Sequence, residues 1–446
     1  LGFLEKKDKT IAMKKLFTIA LIFALSLSPL KINAATSPKA GASCSKAGLS
    51  QIYNKLKFTC IKSGKKLVWD SGVSTSSTLP LPKLPFTLPV TSKSNSNSVT
   101  FTNILEKISE IPNLAWSNSQ ETLKKNIQPD VPIDLAIGPN TIADSEFFNK
   151  TLKLGTKLWS SFPLPSAILG TVYNKEDIPW AMNRIKSFPN QTPESGDITR
   201  GVRDGIPILQ NCPNDCTYSA NMGILDPGSK AMGNFGVPPV GAPKPPVVLN
   251  GGYIVHELTH SVQGAQFLTS QDAQPGRTGV SVLHANNVMT NEMPCWIIEG
   301  SANFAGYSAT STTIEDYLAI RNGEAAGRTD PSLKNYSAEE FKAYLFGQIP
   351  GKCRPMGNQG RAGSSSGLDT AYNLGYGVGM LTVEALASIG GVESTMALFT
   401  LVASGYSFSE GFSKVYGISW DAGSTILSKV LEAEFKTPDI ASKMPH

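Results

Sequence analysis

The stretch that decides the fold is Tyr253-Ile254-Val255-His256-Glu257-Leu258-Thr259-His260-Ser261-Val262. It places two histidines four residues apart and a glutamate directly after the first. Residues i and i+4 share one face of an α-helix, so His256 and His260 can direct imidazole nitrogens at one metal ion. Glu257 lies one step around the helix, from where a carboxylate reaches a metal-bound water without binding the metal. The apolar residues of the stretch predict that this helix is buried.

A catalytic metal ion held by two histidines needs a third protein ligand and an open position. A third histidine six residues after His260 is absent, because position 266 is glutamine, as is position 263. Asp272 is an acid shortly downstream, in a polar segment. A second acid downstream is Glu299, in Trp296-Ile297-Ile298-Glu299-Gly300-Ser301-Ala302. An acid inside an apolar stretch is costly unless it is paired or bound, which makes Glu299 a candidate for the third ligand.

The chain resembles the gluzincin metallopeptidases, the thermolysin-like clan. The resemblance rests on His256-Glu257-x-x-His260 and Trp296-x-x-Glu299-Gly300-x-Ala302, extends to Tyr372-Asn373-Leu374-Gly375, and covers about residues 100–446. It implies a Zn²⁺ ion bound by His256, His260 and Glu299.

The same resemblance implies roles for other side chains. Glu257 would be the general base and Tyr372 the donor that stabilises the oxyanion, with Tyr376, Tyr307 and His284 as alternatives for Tyr372. Members of this clan often carry an acid four residues after the glutamate ligand, and that acid supports the first histidine. The chain has Asn303 there, which can accept a hydrogen bond but lacks the charge.

The N-terminal residues 1–34 have the pattern of a secretory signal peptide. Met13-Lys14-Lys15 precedes an apolar run over 16–30, and small residues follow, so we expect cleavage after Ala34. The run is shorter than the ~20 residues of a membrane span, so we expect no span in the mature chain. A permanent N-terminal anchor is the alternative. The pattern predicts a secreted, extracellular protein. The basic residues that follow would allow this protein to bind the cell wall.

The cysteines agree with export. There are six, an even number, which in an extracellular protein predicts three disulfides. Proximity favours the pairs 44–60, 212–216 and 295–353, although sequence alone permits other pairings. A thiolate metal site is the alternative, but the spacing of Cys212 and Cys216 does not favour it.

Composition divides the chain into a signal region and three further parts. Residues 36–72 form a small basic module with two cysteines and alternating lysines, and they predict short strands stapled by a disulfide. The module resembles basic Cys-containing modules of secreted actinobacterial proteins. We expect it to contact the cell wall or another anionic polymer; a solvated spacer is the alternative. Residues 73–99 are rich in Ser and Pro and predict a linker.

Residues 100–446 predict an α+β, zincin-like catalytic domain. Strand and helix patterns alternate up to residue 185, residues 190–250 are rich in Gly, Pro and Asn, and the chain after 250 is mostly helical. We expect a helix over 101–111 and long loops with short strands over 190–250. The tail predicts further helices over 378–389, 394–402, 407–415 and 422–435.

Charge and motifs together limit the function. Without residues 1–34, the chain has 34 basic and 33 acidic residues, which does not favour nucleic-acid binding. The motifs predict a secreted zinc-dependent peptidase that acts on a peptide or protein substrate. The alternatives are a zincin-like surface or wall-binding protein without catalysis, and a zinc hydrolase acting on cell-wall peptides.

Overall fold

The structure is a computed structural model that describes part of the chain. The described residues are 38–53, 56–64, 66–70, 73–74, 79–90, 98–165, 167–174, 176–186, 218–225, 229–237, 251–267, 289, 292–327, 331–347 and 374–441. The predicted signal peptide lies outside them. The chain mixes helix and strand and is mostly helical. It divides into two compact units, Leu1–Ser74 and Thr75–His446.

The N-terminal unit is a small antiparallel sheet. Its strands are β1 (Ser50–Tyr53), β2 (Leu56–Ser63), β3 (Lys66–Trp69) and β4 (Val73–Ser74), and β2 pairs with the other three. A minimal core of Phe58, Cys60 and Trp69 lies on one side. The predicted Cys44–Cys60 disulfide is confirmed. A core of this size needs such a cross-link, because it buries little apolar surface.

The larger unit has one sheet and many helices. The sheet contains β5 (Ile133–Ile137), β6 (Ile168–Tyr173), β7 (Tyr218–Leu225) and β8 (Ser229–Val237), in that spatial order. Strands β5 and β6 are parallel, and the remaining neighbours are antiparallel. The helices are α1 (Ile111–Lys125), α2 (Ser145–Leu158), α3 (Ile178–Lys186), α4 (Gly252–Ala265), α5 (Cys295–Thr310), α6 (Ile314–Gly327), α7 (Ala338–Gly347), α8 (Met380–Gly390), α9 (Val392–Ala403), α10 (Phe408–Tyr416), α11 (Trp420–Phe435) and α12 (Pro438–Ala441).

Helix α4 lies between two apolar clusters, which explains why its sequence is apolar on more than one side. Ile254 and Leu258 pack with Phe148 of α2 and Val172 of β6 in a smaller cluster beside the sheet. Val255 and Val262 belong to the main core, which the later helices build. The remaining face of α4 carries the two histidines and meets α5.

Two segments differ from the sequence-based expectation. Residues 101–111 form short 3-10 turns, Ile104–Glu106 and Ile108–Glu110, and the α-helix begins only at Ile111. Pro112 explains this start, because proline suits the first helical turn, where its missing N–H costs nothing. The region 190–250 contains the β7–β8 pair, whose strands are longer than expected. The sequence Asp226-Pro227-Gly228 between them is typical of a turn and could have indicated this pairing.

Residues 79–90 belong to the predicted linker. They have no helix or strand, as a linker would, yet their apolar side chains pack on the helical core. Val90 N–H donates to the carbonyl of Val415 at 2.7 Å, and the Tyr406 hydroxyl donates to the carbonyl of Leu79 at 2.5 Å. This part of the predicted linker is therefore packed against the larger unit.

Cys295 is disulfide-bonded. Its expected partner, Cys353, lies outside the described residues, as do Cys212 and Cys216. Among the described residues, no single helix is long and apolar enough to span a membrane. Two successive helical segments, Gly375–Gly390 and Val392–Ala403, are long and apolar enough only when they are taken together, and the angle between them is 104°.

Candidate metal centre

Helices α4 and α5 approach closely because glycines line their contact. A Cβ atom on Gly306 of α5 would lie 2.4 Å from the carbonyl oxygen of Gly252, the first residue of α4. Gly251, with φ at 81°, precedes that residue in the left-handed region that glycine adopts readily. The missing side chains let the two backbones meet, and this brings side chains of α4 and α5 together.

Three ligand-type atoms converge between the two helices. The Nε2 atoms of His256 and His260 are 3.0 Å apart. The Oε2 atom of Glu299 lies 3.5 Å from Nε2 of His256 and 3.3 Å from Nε2 of His260. The structure thus brings together the three residues that the sequence predicted as ligands.

Glu257 belongs to the same neighbourhood. Ligand atoms of His256, Glu257 and His260 all lie within 4.8 Å of one another, and this group could hold a metal ion. Two glutamates are therefore candidates for the third ligand. Glu299 is the better one, because its Oε2 is buried and accepts no hydrogen bond from the described residues. A buried carboxylate oxygen without a donor is costly unless a cation completes it.

Charge at the site is arranged for a cation. Burial opposes a charge on His260, but the Glu299 carboxylate, assisted by Glu257, raises the pKa of His260 to about 9. Burial likewise opposes the charge on Glu299, yet the two histidines hold the pKa of that carboxyl well below its usual range. Three lone-pair atoms this close repel one another unless a proton or a metal ion lies among them.

Asn303 supports His256. Its Oδ1 lies 2.7 Å from Nδ1 of His256 and accepts a second hydrogen bond from the Tyr307 hydroxyl at 3.0 Å. Its Nδ2 donates to the carbonyl of Tyr376 at 3.1 Å. Asn303 therefore contacts the first histidine through a neutral carboxamide.

Gln263 is a site residue that sequence reasoning missed. It lies one turn after His260 on α4, and its Oε1 is 2.9 Å from Nδ1 of that histidine. Its Nε2 donates to the carbonyl of Ile298 at 2.9 Å and to the Ser301 hydroxyl at 2.8 Å. The available signal was its i+3 spacing from His260, which places both on one helix face.

The sequence predicts Tyr372 as an oxyanion donor, with Tyr376, Tyr307 and His284 as alternatives. Tyr372 and the alternative His284 lie outside the described residues. Tyr307 is fully buried and already donates to Asn303. Tyr376 lies at the site, where its ring stacks on His256 with 5.9 Å between centroids and 15° between planes.

Tyr376 is part of a π-helical turn, Gly375–Gly379, a type of turn frequent at functional sites. This turn packs directly on α5. A Cβ atom on Gly300 would lie 2.3 Å from the Gly379 carbonyl oxygen, and one on Gly379 would lie 2.2 Å from the Trp296 carbonyl oxygen. The glycines therefore let the turn lie against the residues that flank Glu299.

No protein-family model, curated protein or solved structure matches this chain. Two imidazoles and one carboxylate converge on one point, a second carboxylate lies beside them, and each imidazole is supported by a carboxamide.

Proposed function

We propose that the chain is a secreted, zinc-dependent peptidase of the gluzincin type with a zincin-like fold. The observation that carries this proposal is the convergence of His256, His260 and Glu299, with Glu257 beside them. Zinc ligands lie about 2.0–2.1 Å from the ion, so two ligands at tetrahedral positions are about 3.3 Å apart. The three separations in the centre are 3.0, 3.3 and 3.5 Å. Two nitrogens and one oxygen are also a donor set that zinc favours.

The mechanism divides between the ion and the protein. When bound, zinc lowers the pKa of a coordinated water toward about 7 and polarises a carbonyl group. Glu257 supplies the proton transfers: its carboxylate takes the proton of the attacking water and then delivers it to the leaving amide nitrogen. A carboxylate oxygen of Glu257 lies within 4.8 Å of ligand nitrogens of His256 and His260, and the side chain is half-buried, so it is close to the site and still accessible. Tyr372, or Tyr376 in its place, would donate a hydrogen bond to the oxygen on which negative charge develops.

Two other functions use the same centre. A hydrolase of cell-wall peptides has the same chemistry and differs in substrate. A zincin-like binding protein would keep the metal without catalysis, and it has no need of a base. The presence of Glu257 beside the converging ligands favours an enzyme over a binder.

The test replaces Glu257 with glutamine in the full chain. Glu257→Gln keeps the shape of the side chain but removes the base, so we expect parent zinc content and a rate of peptide hydrolysis lower by a factor of about 10²–10⁴. Glu315→Gln, an exposed acid on α6, is the matched control and should keep the parent rate. Initial rates on quenched peptides, casein and wall peptides, with zinc analysis in parallel, measure both.

Each outcome favours one of the three functions or contradicts the mechanism. Unchanged hydrolysis by Glu257→Gln would contradict the mechanism. A parent chain that holds zinc but cleaves none of these substrates would favour the binding protein. Cleavage of wall peptides alone would favour the wall hydrolase.

The N-terminal unit suggests a separate role in localisation. Residues 38–74 contain seven lysines and one acid, Asp70. Each lysine whose side chain is described, namely Lys39, Lys46, Lys62 and Lys66, is exposed, and the Asp70 carboxylate accepts a hydrogen bond from Thr59 N–H. We propose that this positive surface holds the enzyme on an anionic wall polymer after export.

A further inference from the structure

We propose that Gln263 is a positioning residue that, together with Asn303, holds both histidines in one tautomer. In that tautomer Nδ1 carries the proton and Nε2 presents its lone pair to the metal. This inference rests on the metal centre of the proposed function, but not on hydrolysis.

The direction of the Gln263 carboxamide is decided by its neighbours. A main-chain carbonyl oxygen can only accept a hydrogen bond, so the group that faces Ile298 O at 2.9 Å must be the NH₂. The amide oxygen then faces Nδ1 of His260 at 2.9 Å. Because this oxygen can also only accept, Nδ1 of His260 must carry the proton.

The orientation of the Asn303 carboxamide, on α5, is decided by its neighbours in the same way. Its NH₂ faces the carbonyl oxygen of Tyr376, so its oxygen faces Nδ1 of His256 at 2.7 Å. The Tyr307 hydroxyl donates to that same oxygen. Nδ1 of His256 must therefore also carry a proton. Both Nε2 lone pairs then point to the place where Glu299 Oε2 lies.

Gln263 also ties the two helices together at the site. It lies on α4, whereas its acceptors, Ile298 and Ser301, lie on α5 on either side of Glu299 and Gly300. One side chain thus orients a histidine and fixes the helix turn that carries the third ligand. Loss of such an outer contact typically lowers metal affinity 10–100-fold.

The experiment compares two buried glutamines of the same segment. Gln263→Leu removes the contact with His260. Gln266→Leu is the matched control, because Gln266 is also buried and donates to the carbonyls of Pro163 and Val262, without a contact to the centre among those described. Zinc dissociation constants come from chelator competition with the full chain. Long-range ¹H–¹⁵N spectra of the zinc-loaded chain report the histidine tautomers, and the chain has only four histidines.

We expect two zinc-bound histidines with protonated Nδ1 in the parent. Gln263→Leu should raise the zinc dissociation constant about 10–100-fold and lose the slow exchange of the His260 Nδ1 proton. Gln266→Leu should keep both parent values. Either bound histidine with its proton on Nε2 in the parent overturns the proposal, even if the variants do not fold. Equal losses in both variants would also overturn it, since they would indicate general destabilisation. Zinc binding with this tautomer but without hydrolysis would contradict the peptidase alone.

Discussion

A methyl group added to Gly306 tests whether the close approach of α4 and α5 creates the centre. The Cβ atom of Gly306→Ala would lie 2.4 Å from the Gly252 carbonyl oxygen and 3.3 Å from the His256 amide nitrogen. Both neighbours are backbone atoms and cannot rotate away. The helices must move apart by roughly 0.6 Å to reach even a 3.0 Å contact, and a shift above about 0.5 Å already disturbs a functional site.

The expected magnitude combines two opposing effects. Alanine is favoured over glycine inside a helix by about 1 kcal/mol. Overpacking against a rigid backbone costs about 1–3 kcal/mol. We place the overpacking cost of this contact at the upper end of that range, about 3 kcal/mol, so Gly306→Ala should lower the free energy of unfolding by about 2 kcal/mol. It should also bind zinc at least 10-fold more weakly, because metal–ligand distances tolerate a change of only about 0.2 Å.

Gly323→Ala is the matched control. Gly323 lies inside α6, and a Cβ atom there would meet nothing within 4 Å. The same change should therefore stabilise the chain by about 1 kcal/mol and leave zinc affinity unchanged. Urea midpoints of the metal-free proteins and chelator competition measure the two quantities. If Gly306→Ala is as stable as Gly323→Ala, or keeps the parent zinc affinity, the close helix contact does not create the site.

Three further predictions concern two regions away from the centre. Arg321 is buried, and its Nη2 atom lies 2.7 Å from Oε2 of Glu384 and 2.9 Å from Oε2 of Glu434. Arg321→Met should therefore lower the free energy of unfolding in urea by about 3–5 kcal/mol. Burial raises the pKa of Glu434, so the folded chain retains a proton there at pH values where the unfolded chain has lost it. The free energy of unfolding should therefore fall as pH rises above the usual glutamate range. Glu434→Gln should flatten that fall, and an unchanged pH slope would contradict this. Replacing Lys39, Lys46, Lys62 and Lys66 with glutamine should lower the salt concentration at which the full chain elutes from immobilised poly(glycerol phosphate). The same change at Lys124, Lys150, Lys153 and Lys429, exposed on the larger unit, should have a smaller effect, and equal shifts would argue against the N-terminal surface.

Short-range patterns in the sequence predicted the parts of the fold that depend on near neighbours. The alternation of strand and helix up to residue 185, with strands at Ile133–Ile137 and Ile168–Tyr173, and the helices of the tail follow the hydrophobic periods of the sequence. His256 and His260 needed only the helical repeat to be placed on one face. Cys44 and Cys60 needed only their proximity in the chain. The lengths of β7 and β8 did not follow from such patterns, because these strands have little hydrophobic alternation.

The tertiary structure decided what depends on residues far apart in the chain. Glu299 was singled out as an acid in an apolar stretch, but its distances to the histidines depend on how closely two helices pack. That packing depends on glycines such as Gly306, whose missing side chain has a meaning only once Gly252 lies opposite. In the sequence, Gln263 was noted only as a position that does not carry a histidine ligand. Its support of His260 appeared only when Ile298, 35 residues away, supplied the carbonyl that orients its amide. Hydrogen bonds of this kind are directional and act over about 3 Å, so only the packed helices determine which partners meet.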